Sequence, residues 1–549
     1  MRFLTRSLLA AAALLPGAAH AQGRPSPATQ VARDLSASAY MAHLRYLSDD
    51  ALEGRAPGTR GGDLAAKYIA AQFERLGLEP AGDNGGWMHR VPIITHDPTP
   101  RIWQTAVPAG RTAVNLAYKD DYVAWSMRND TLVTASAGVV FAGYGITAPE
   151  EGWDDFQGVD VKGKIVVVLV NDPGLHDPAI FRGKDLTYYG RWTYKIEEAA
   201  RQGAAGILIV HTDESATYGW ATVTGSWTGE QVRLEAPATS LAFAGWITQA
   251  AARRLFAAGG QDLDALSARA FHRGFRAVPL DLSLGVEVRS RIRRSETFNV
   301  VARRPGTGAH KNEAVLVGGH YDHLGFGPAV NGDSIYNGAI DNASGVAGVL
   351  TLAEAFVRSG VRTDRSLLFM AFGAEESGLL GSGAFVERPT LPLKQIAAVI
   401  NIDGLELLGR TRDIGALGRD QSSLGPIFAA AAHAEGMRVG ENPDAALRGY
   451  FFRSDHFPFV KAGIPALSLE GGEEMIGRPA GWGKAQHDAY NADRYHQPSD
   501  ELLPEYTADG ARQELRVVAR VLLSVANGRS QPTWNPTSEF RAAGEARLK

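Results

Sequence analysis

The chain has 549 residues, a length that suits about three or four domains. Its formal charge of −4 leaves no basic surplus for nucleic acid as the main partner, and 45% hydrophobic with 21% charged residues excludes a mainly disordered chain, a collagen-like chain and a coiled-coil rod. The chain contains no cysteine, which excludes disulfides, Cys-based zinc sites, iron–sulfur clusters and a cysteine nucleophile.

Residues 1–21 are predicted to be a signal peptide. Arg2 and Arg6 precede a short apolar run, and the sequence AHA at 19–21 fits the small-x-small rule for cleavage before Gln22. The run is too short to span a bilayer, which favours a cleaved signal over a membrane anchor. No later stretch is interpreted as a transmembrane helix. We therefore expect an exported protein, periplasmic or secreted, without stable membrane insertion.

The first part of the main domain is assigned to residues 36–134. Residues 22–35 are polar and contain proline, which predicts a flexible lead-in. Apolar residues then recur at spacings of three and four as far as Gly77, a pattern typical of helices. The Gly-, Pro- and Arg-rich stretch at 52–62 interrupts this pattern and is interpreted as a connector loop.

Residues 135–275 are predicted to form a smaller inserted domain of α/β or β-rich type. GVVFAGYGI (138–146) and GKIVVVLV (163–170) are β-branched runs bounded by turns. Residues 194–210 follow the pattern of a helix, a glycine stop and a strand. The Gly-, Trp- and Thr-rich stretch 218–229 resembles a long loop. The alternation of strand and helix patterns indicates α/β structure.

Residues 276–528 are predicted to form the main domain with its functional site. Compact apolar runs such as AVLVGGH, SLLFMAF and AAVINID alternate with helical stretches such as 344–358. This pattern is typical of a mostly parallel, doubly wound α/β sheet covered on both faces. The polar tail at 529–549 is expected to be loose.

Chemically reactive side chains follow the predicted strands of this domain. His320, the pair Glu375 and Glu376, and Asp403 each stand at a strand end, and Asp341 precedes a helix. Each alone has an ordinary explanation, such as a helix cap, a turn or a solvated acidic pair. Together they meet at one edge of a parallel sheet, where the carboxylates would repel one another unless a cation neutralised them. Histidine with carboxylates suits zinc or a similar divalent ion.

Six motifs carry a resemblance to a known family: GGHYDHLG, GAIDNASG, AFGAEESGLLGS, NIDG, RSDHFPF and YHQPSDE. Their order and spacing resemble the M28 family of zinc metallopeptidases over residues 38–95 and 296–525. The pieces GYG, DDFQGVDVKGKIVVV and AARQGAAGILIV make residues 135–275 similar to a protease-associated (PA) domain. The resemblance implies the zinc-dependent exopeptidase fold with a PA domain inserted.

The resemblance also implies two zinc ions per chain and five ligands: His320, Asp341, Glu376, Asp403 and His496. Asp341 would bridge both ions, His320 and Asp403 would complete one site, and Glu376 and His496 the other. Glu375 would be the general base. Cobalt or manganese could replace zinc, because these ligand types do not select zinc sharply.

Further residues are assigned supporting roles. Asp322 would hold the second nitrogen of the imidazole two residues before it. Tyr495 resembles the family's oxyanion-stabilising tyrosine, with a packing role as the alternative. Ser454, Asp455 and His456 match the family's SDH loop, which lines the substrate pocket. Two other histidines, His323 and His487, receive no role.

The resulting hypothesis is an aminopeptidase that acts on peptides. A carboxypeptidase or dipeptidase of the same family is the alternative, since Arg448 and Arg453 lie near the SDH loop and could bind a C-terminal carboxylate. A single-zinc glutaminyl cyclase is disfavoured by the two-metal motifs and the PA insert. A non-catalytic binding protein on this scaffold would typically have lost ligands. The oligomeric state and the role of the PA domain, a lid or a control on access, stay open.

Overall fold

The computed structural model describes residues 25–107, 110–235 and 239–549, so the predicted signal peptide lies outside the described residues. The first part contains α1 (Pro27–Asp34), α2 (Ala37–Leu47), α3 (Arg60–Arg75), β1 (Glu79–Pro80) and β2 (Met88–Ala106). Most of the segment 22–35, expected to be a flexible lead-in, instead forms α1. Ser26 caps this helix by accepting a hydrogen bond from the amide of Thr29, and Val31 is fully buried against the core.

The inserted part alternates strands and helices, as predicted. It contains β3 (Tyr122–Ser126), β4 (Leu132–Phe141), β5 (Thr147–Ala148), β6 (Trp153–Asp154), β7 (Ile165–Leu169), α4 (Trp192–Arg201), β8 (Gly206–His211), α5 (Asp213–Ala216), α6 (Trp220–Trp227), β9 (Gln231–Leu234), β10 (Phe243–Thr248), α7 (Gln249–Ala258) and α8 (Leu263–Ala270). Strands β4, β7, β8 and β10 run parallel in that order. The expected long loop at 218–229 instead contains α6, in which Val223 is buried.

One long strand joins the two parts of the molecule. Strand β11 (Val278–Arg304) pairs antiparallel with β4 near its start, and near its end Val300 pairs with Ala371 of the strand Ser366–Phe372. Strand β2 runs antiparallel beside it from Ser283 to Val300. A single sheet, which has 15 strands among the described residues, therefore continues from the inserted part into the main domain.

The main domain contains β12 (Ala314–His320), β13 (Gly325–Val330), β14 (Asp333–Tyr336), α9 (Gly345–Arg358), β15 (Ser366–Phe372), α10 (Leu380–Glu387), β16 (Ile396–Asn401), β17 (Asp413–Leu417), α11 (Leu424–Ala434), β18 (Arg438–Val439), α12 (Pro443–Arg448), α13 (His456–Lys461), β19 (Ala466–Glu470), α14 (Trp482–Asp493), α15 (Asp509–Ala526) and α16 (Arg541–Arg547). Strands β19, β16, β12 and β15 are parallel neighbours in that order. Helices α9 and α15 pack on one face, and α10 and α13 on the other. The predicted α/β fold with a mostly parallel, doubly wound sheet is confirmed.

Two segments differ from expectation for reasons of burial. The helical stretch Ala339–Arg358 is long and apolar enough to cross a membrane, but 89% of its apolar window is buried, as in the core helix of a domain. The tail at 529–549, expected to be loose, packs on the main domain. Phe540 is 5% exposed, and the Arg547 guanidinium donates hydrogen bonds to the carbonyls of Gly463 and Ile396. The buried ring of Phe540 and the hydrogen bonds of Arg547 hold this segment on the main domain despite its polar composition.

Candidate metal centre

The predicted metal ligands meet at the carboxyl edge of the main sheet. His320 is the last residue of β12, which lies between β15 and β16. Glu375 and Glu376 follow β15, and Asp403 follows β16. Asp341 belongs to the turn of residues 339–344 that leads into α9. The parallel arrangement brings His320 and Asp403, which are 83 positions apart, to one edge because every strand ends on the same side.

Asp341 faces two separate groups of side chains. Its Oδ1 lies 3.2 Å from His320 Nε2, and the same nitrogen lies 3.1 Å from Asp403 Oδ1. Its Oδ2 lies 3.3 Å from His496 Nε2, and that nitrogen lies 3.1 Å from Glu376 Oε2. The structure thus brings together all five predicted ligands, with Asp341 between the other two pairs.

These side chains fit divalent cations. The donor atoms of His320, Asp341 and Asp403 all lie within 4.8 Å of one another, a spacing suited to shared coordination, and Asp341 and Glu376 form a second such group with His323 rather than with His496. The Nε2 atom of His496 is buried and makes no hydrogen bond of normal geometry, although two carboxylates lie within 3.3 Å. A nitrogen and carboxylates that converge in this way suit a common ion better than mutual hydrogen bonds. Histidine, aspartate and glutamate without cysteine are ligands of zinc and of similar ions.

Asp322 supports the centre in a different way from the one expected. Its carboxylate accepts hydrogen bonds from the amides of Glu375, at 3.0 Å, and Glu376, at 3.3 Å. The nitrogen Nδ1 of His320 lies 3.2 Å from the backbone carbonyl oxygen of Asp322 and 3.9 Å from its carboxylate. The backbone of Asp322 thus orients the histidine, while its side chain fixes the turn that presents the two glutamates.

Glu375 lies in a strongly negative environment. Its Oε2 is 4.0 Å from His320 Nε2, the longest of the contacts between carboxylates and histidines at this centre. Burial raises the pKa of Glu375 well above its ordinary value; the charge of His320 opposes this, and the charges of Glu376 and Asp403 add to it. A carboxyl group with a raised pKa beside a cation site suits acid–base chemistry near neutral pH.

The three residues of the SDH loop have different surroundings. Ser454 donates a hydrogen bond of 2.6 Å to Asp403 Oδ2 and lines a cavity of about 770 Å³. Asp455 and His456 are fully buried and line neither this cavity nor the smaller one at the ligands, so their predicted place in the substrate pocket is not supported. Burial raises the pKa of Asp455 to about 8 and lowers that of His456 to about 4.

Tyr495 lies at the entrance to the centre. Its ring stacks on His496, with centroids 3.9 Å apart, and 45% of the residue is exposed. It lines both the 770 Å³ cavity and a cavity of about 240 Å³ that His320, Asp341 and other ligands surround. This position is open to a substrate, as the oxyanion role requires, and the stacking also fixes the ring of His496.

Sequence reasoning missed two residues that hold the ligands. His323 is fully buried, and its Nδ1 lies 2.8 Å from Glu376 Oε1. Asp500 accepts hydrogen bonds of 3.1 Å from the amide of Asp341 and the hydroxyl of Tyr490. Both lie inside quoted motifs, so the signal was present, but only the fold shows what each residue contacts. His487 also had no assigned role; it lies 3.0 Å from Glu406.

Arg55 is a third missed residue, from the stretch that was interpreted as a connector. Its guanidinium is 1% exposed and donates only to backbone carbonyls: those of Tyr321 at 2.6 Å, Asn337 at 2.5 Å, Gly338 at 3.0 Å and Leu47. The carbonyl of Tyr321 lies next to His320, those of Asn337 and Gly338 lie just before the turn with Asp341, and that of Leu47 ends α2. Arg55 therefore joins the two segments that carry these ligands.

Replacing Arg55 with methionine is expected to destabilise the protein. Four buried carbonyls would lose a donor, and each unsatisfied buried group costs about 1–3 kcal/mol, so the free energy of unfolding should fall by at least about 3 kcal/mol. Urea denaturation measures this. Arg60→Met is the control, because Arg60 makes an exposed pair with Glu53 and should change stability by less than about 1 kcal/mol. Equal effects of the two changes would contradict the role of Arg55.

Comparison with known proteins gives two family matches. Residues 299–519 match the model for Peptidase family M28, and residues 129–253 match that for the PA domain. Leupeptin-inactivating enzyme 1 of Streptomyces exfoliatus is 30% identical over 209 residues, which cover 37% of this chain and 43% of that protein. Aminopeptidase YwaD of Bacillus subtilis is 25% identical over 214 residues, 37% of this chain and 39% of that protein. The chain thus matches less than half the length of these curated relatives.

Among solved structures, an aminopeptidase from Aneurinibacillus sp. strain AM-1 aligns over 92% of this chain and 97% of its own, with 20% identity and a TM-score of 0.46. In this chain the mostly parallel α/β sheet carries histidine–carboxylate clusters at its edge, an arrangement suited to divalent cations. The chain is similar to peptidase family M28 over residues 299–519 and to the PA domain over residues 129–253.

Proposed function

We propose that this protein is an exported di-zinc aminopeptidase that removes N-terminal residues from peptides. The observation that carries the proposal is the position of Asp341, whose two oxygens face His320 on one side and His496 on the other. One carboxylate between two ligand sets suits a pair of ions about 3.5–4 Å apart. The curated relatives named aminopeptidases and the predicted signal peptide support the activity and the export.

The reaction is hydrolysis of a peptide bond. The hydroxyl of water joins the carbonyl carbon, the C–N bond breaks, and the proton goes to the leaving amine. Bound zinc would polarise the carbonyl and lower the pKa of the attacking water. Glu375 accepts the proton of this water and passes it to the amine. The hydroxyl of Tyr495, at the entrance, donates a hydrogen bond to the developing oxyanion.

The cluster of carboxylates also suits recognition of a free N-terminal amine. Glu375 and Asp403 line the smaller cavity, and Glu376 lies 3.1 Å from His496. These negative charges would attract the ammonium group of a substrate. Ser454 keeps Asp403 in place through its hydrogen bond, and Asp322 keeps the two glutamates in place. The chain's own residues thus hold the negative charge that the amine needs.

Hydrolysis of aminoacyl-nitroanilides beside their N-acetylated copies tests the proposal, with the metal content of the same preparation determined. Two zinc ions per chain and cleavage of the free-amine series alone are the expected result. Cleavage of neither series with two metals bound would favour the carboxypeptidase or dipeptidase alternative. Absence of stable metal binding would contradict the enzyme and favour a binding protein.

A further inference from the structure

One wall of the larger cavity is a short segment of the main domain, residues 449–455, which joins α12 to α13 and is called the wall segment below. Tyr450, Arg453 and Ser454 lie on it, and all three line the 770 Å³ cavity. Ser454 also donates its hydrogen bond to Asp403, a predicted metal ligand. The position of the wall segment therefore shapes the cavity and bears on the metal centre.

The helix before the wall segment has little contact with the core of the main domain. Helix α12 has six residues, and Ala445 is the buried one among them. Leu447, the large apolar residue near its end, is 38% exposed. A helix this short depends on packing against other elements, and one buried alanine supplies little of it. Something outside α12 must hold the start of the wall segment.

The inserted part holds this start. The amide of Leu186 donates a hydrogen bond of 3.1 Å to the carbonyl of Ala446, the third residue before the wall segment. The side chain of Leu186 also packs on Gly449, where a Cβ atom would lie 2.7 Å from Leu186 Cδ2. Gly449 has a φ of 63°, a left-handed conformation that suits glycine. The turn into the wall segment is thus fitted to a side chain of the inserted part.

The inserted part also holds the far end. The ring centroid of Tyr188 lies 4.9 Å from that of Phe457 and 6.0 Å from that of Phe452, and all three residues are buried. The hydroxyl of Tyr188 donates a hydrogen bond of 2.7 Å to one oxygen of Glu197 in α4. The other oxygen of Glu197 lies 2.8 Å from Lys461 Nζ, at the end of α13. Glu197 therefore connects the aromatic contact with an ion pair between the two parts.

Paired strands fix the inserted part to the main domain. Strand β11, of 27 residues, runs through both parts, and β2 pairs with it from Ser283 to Val300. A lid closes by changes of φ and ψ at a few residues in loops or at the ends of elements. Movement of the inserted part would instead bend this two-stranded ribbon and break the contacts at both ends of the wall segment.

We propose that the inserted part is a fixed support of the substrate cavity and not a lid over it. Leu186 holds the start of the wall segment, and Tyr188 and Glu197 hold its end. These three residues line neither cavity, so they are positioning residues that act through the wall segment. The inference rests on the proposed function, since it takes the cavity as the place of the substrate.

Tyr188→Phe and Glu197→Gln test the support, because each keeps the size of the side chain and removes the link between Tyr188, Glu197 and Lys461. In zinc-loaded protein, amide hydrogen exchange within residues 446–461 should become about threefold to tenfold faster, because losing a hydrogen bond or an ion pair makes local opening more frequent. KM for Leu-nitroanilide should rise by a similar factor, while kcat and zinc content stay within about twofold of wild type.

Asp264→Asn is the matched control. Asp264 lies in α8 of the inserted part and makes an exposed ion pair with Arg253, at 3.0 Å, away from the main domain. Its replacement should leave the exchange of residues 446–461 and KM unchanged. Exchange of the two charges, Glu197→Lys with Lys461→Glu in one chain, should restore part of the KM that either change alone raises. Glu197 is partly exposed, so its variants keep the test valid if Tyr188→Phe fails to fold.

Three results would overturn the support. The first is unchanged exchange of residues 446–461 in both variants. The second is faster exchange throughout the protein, which would show general destabilisation. The third is a lower KM or a higher kcat, which would show that the contacts restrain a lid that opens.

The exchange measurement needs no substrate, so it separates the support from the proposed function. Faster exchange of residues 446–461 in the variants, with no cleavage of Leu-nitroanilide by zinc-loaded wild type, would confirm the held wall segment and contradict the aminopeptidase function. Normal cleavage by wild type, with unchanged exchange and KM in the variants, would contradict the support alone.

Discussion

Glu375→Gln is expected to lower kcat by about 10²–10⁴, the contribution typical of a general base, while the fold and the metal content stay intact. Glutamine keeps the size of the side chain but has no oxygen that accepts a proton at neutral pH. The loss of metal should be small, because Glu375 Oε2 lies 4.0 Å from His320 Nε2 and the predicted ligands lie closer. Turnover of Leu-nitroanilide and zinc content by elemental analysis measure the two properties on one preparation.

Glu387→Gln is the matched control for this change. Glu387 is exposed at the end of α10, outside both cavities, and its replacement should leave kcat within about twofold of wild type, as for an ordinary surface change. Wild-type turnover in Glu375→Gln would show that another group takes the proton. A large loss of zinc in the same variant would assign Glu375 to the ligands instead.

Asp341→Asn is expected to remove both metals and to abolish activity. The aspartate lies within 3.3 Å of the histidine nitrogen in each ligand set, and the amide has neither the charge nor the second anionic oxygen that a bridge requires. Zinc should fall from two ions per chain to less than one after dialysis. His320 and His496 would then lose the carboxylate between them, so both sites should lose their zinc.

Thermal unfolding gives an independent test of the bridge. A ligand that binds only the folded state stabilises it by about 4 kcal/mol at a concentration of 1,000 Kd, so added zinc should raise the Tm of metal-free wild-type protein. It should leave the Tm of Asp341→Asn nearly unchanged. Asp420→Asn, at a side chain that is 79% exposed, should respond as wild type does. A variant that loses one ion and keeps the other would show that Asp341 belongs to one site only.

Much of the main domain follows from local patterns in the sequence. Buried parallel strands are continuous apolar runs, and the residues after them meet at one edge, which predicts the neighbourhood of His320, Glu376 and Asp403. The same patterns were misleading where one or two buried side chains hold an otherwise polar segment on the core. Residues 27–34 and the tail are polar on average, yet Val31 and Phe540 are buried and hold them to the core.

The supporting contacts could not be predicted in the same way. The Arg55 guanidinium binds the carbonyl of Tyr321, 266 positions away, and the carboxylate of Asp500 binds the amide of Asp341, 159 positions away. The sequence spacing of such residues does not predict these contacts, because the contacts depend on how several helices and strands pack together. Asp455 shows the converse, since a residue in a quoted motif is fully buried and lines neither cavity.

The sequence by itself determined the class of fold, and the chemical types and order of the candidate metal ligands, because these depend on residue type and on short periodic patterns. Only the tertiary structure decided that the two oxygens of Asp341 face different histidines and that Arg55 joins the segments next to His320 and Asp341. Those features are distances between parts of the chain that are far apart in sequence. They are set by the packing of the whole core, to which each local pattern contributes only a part.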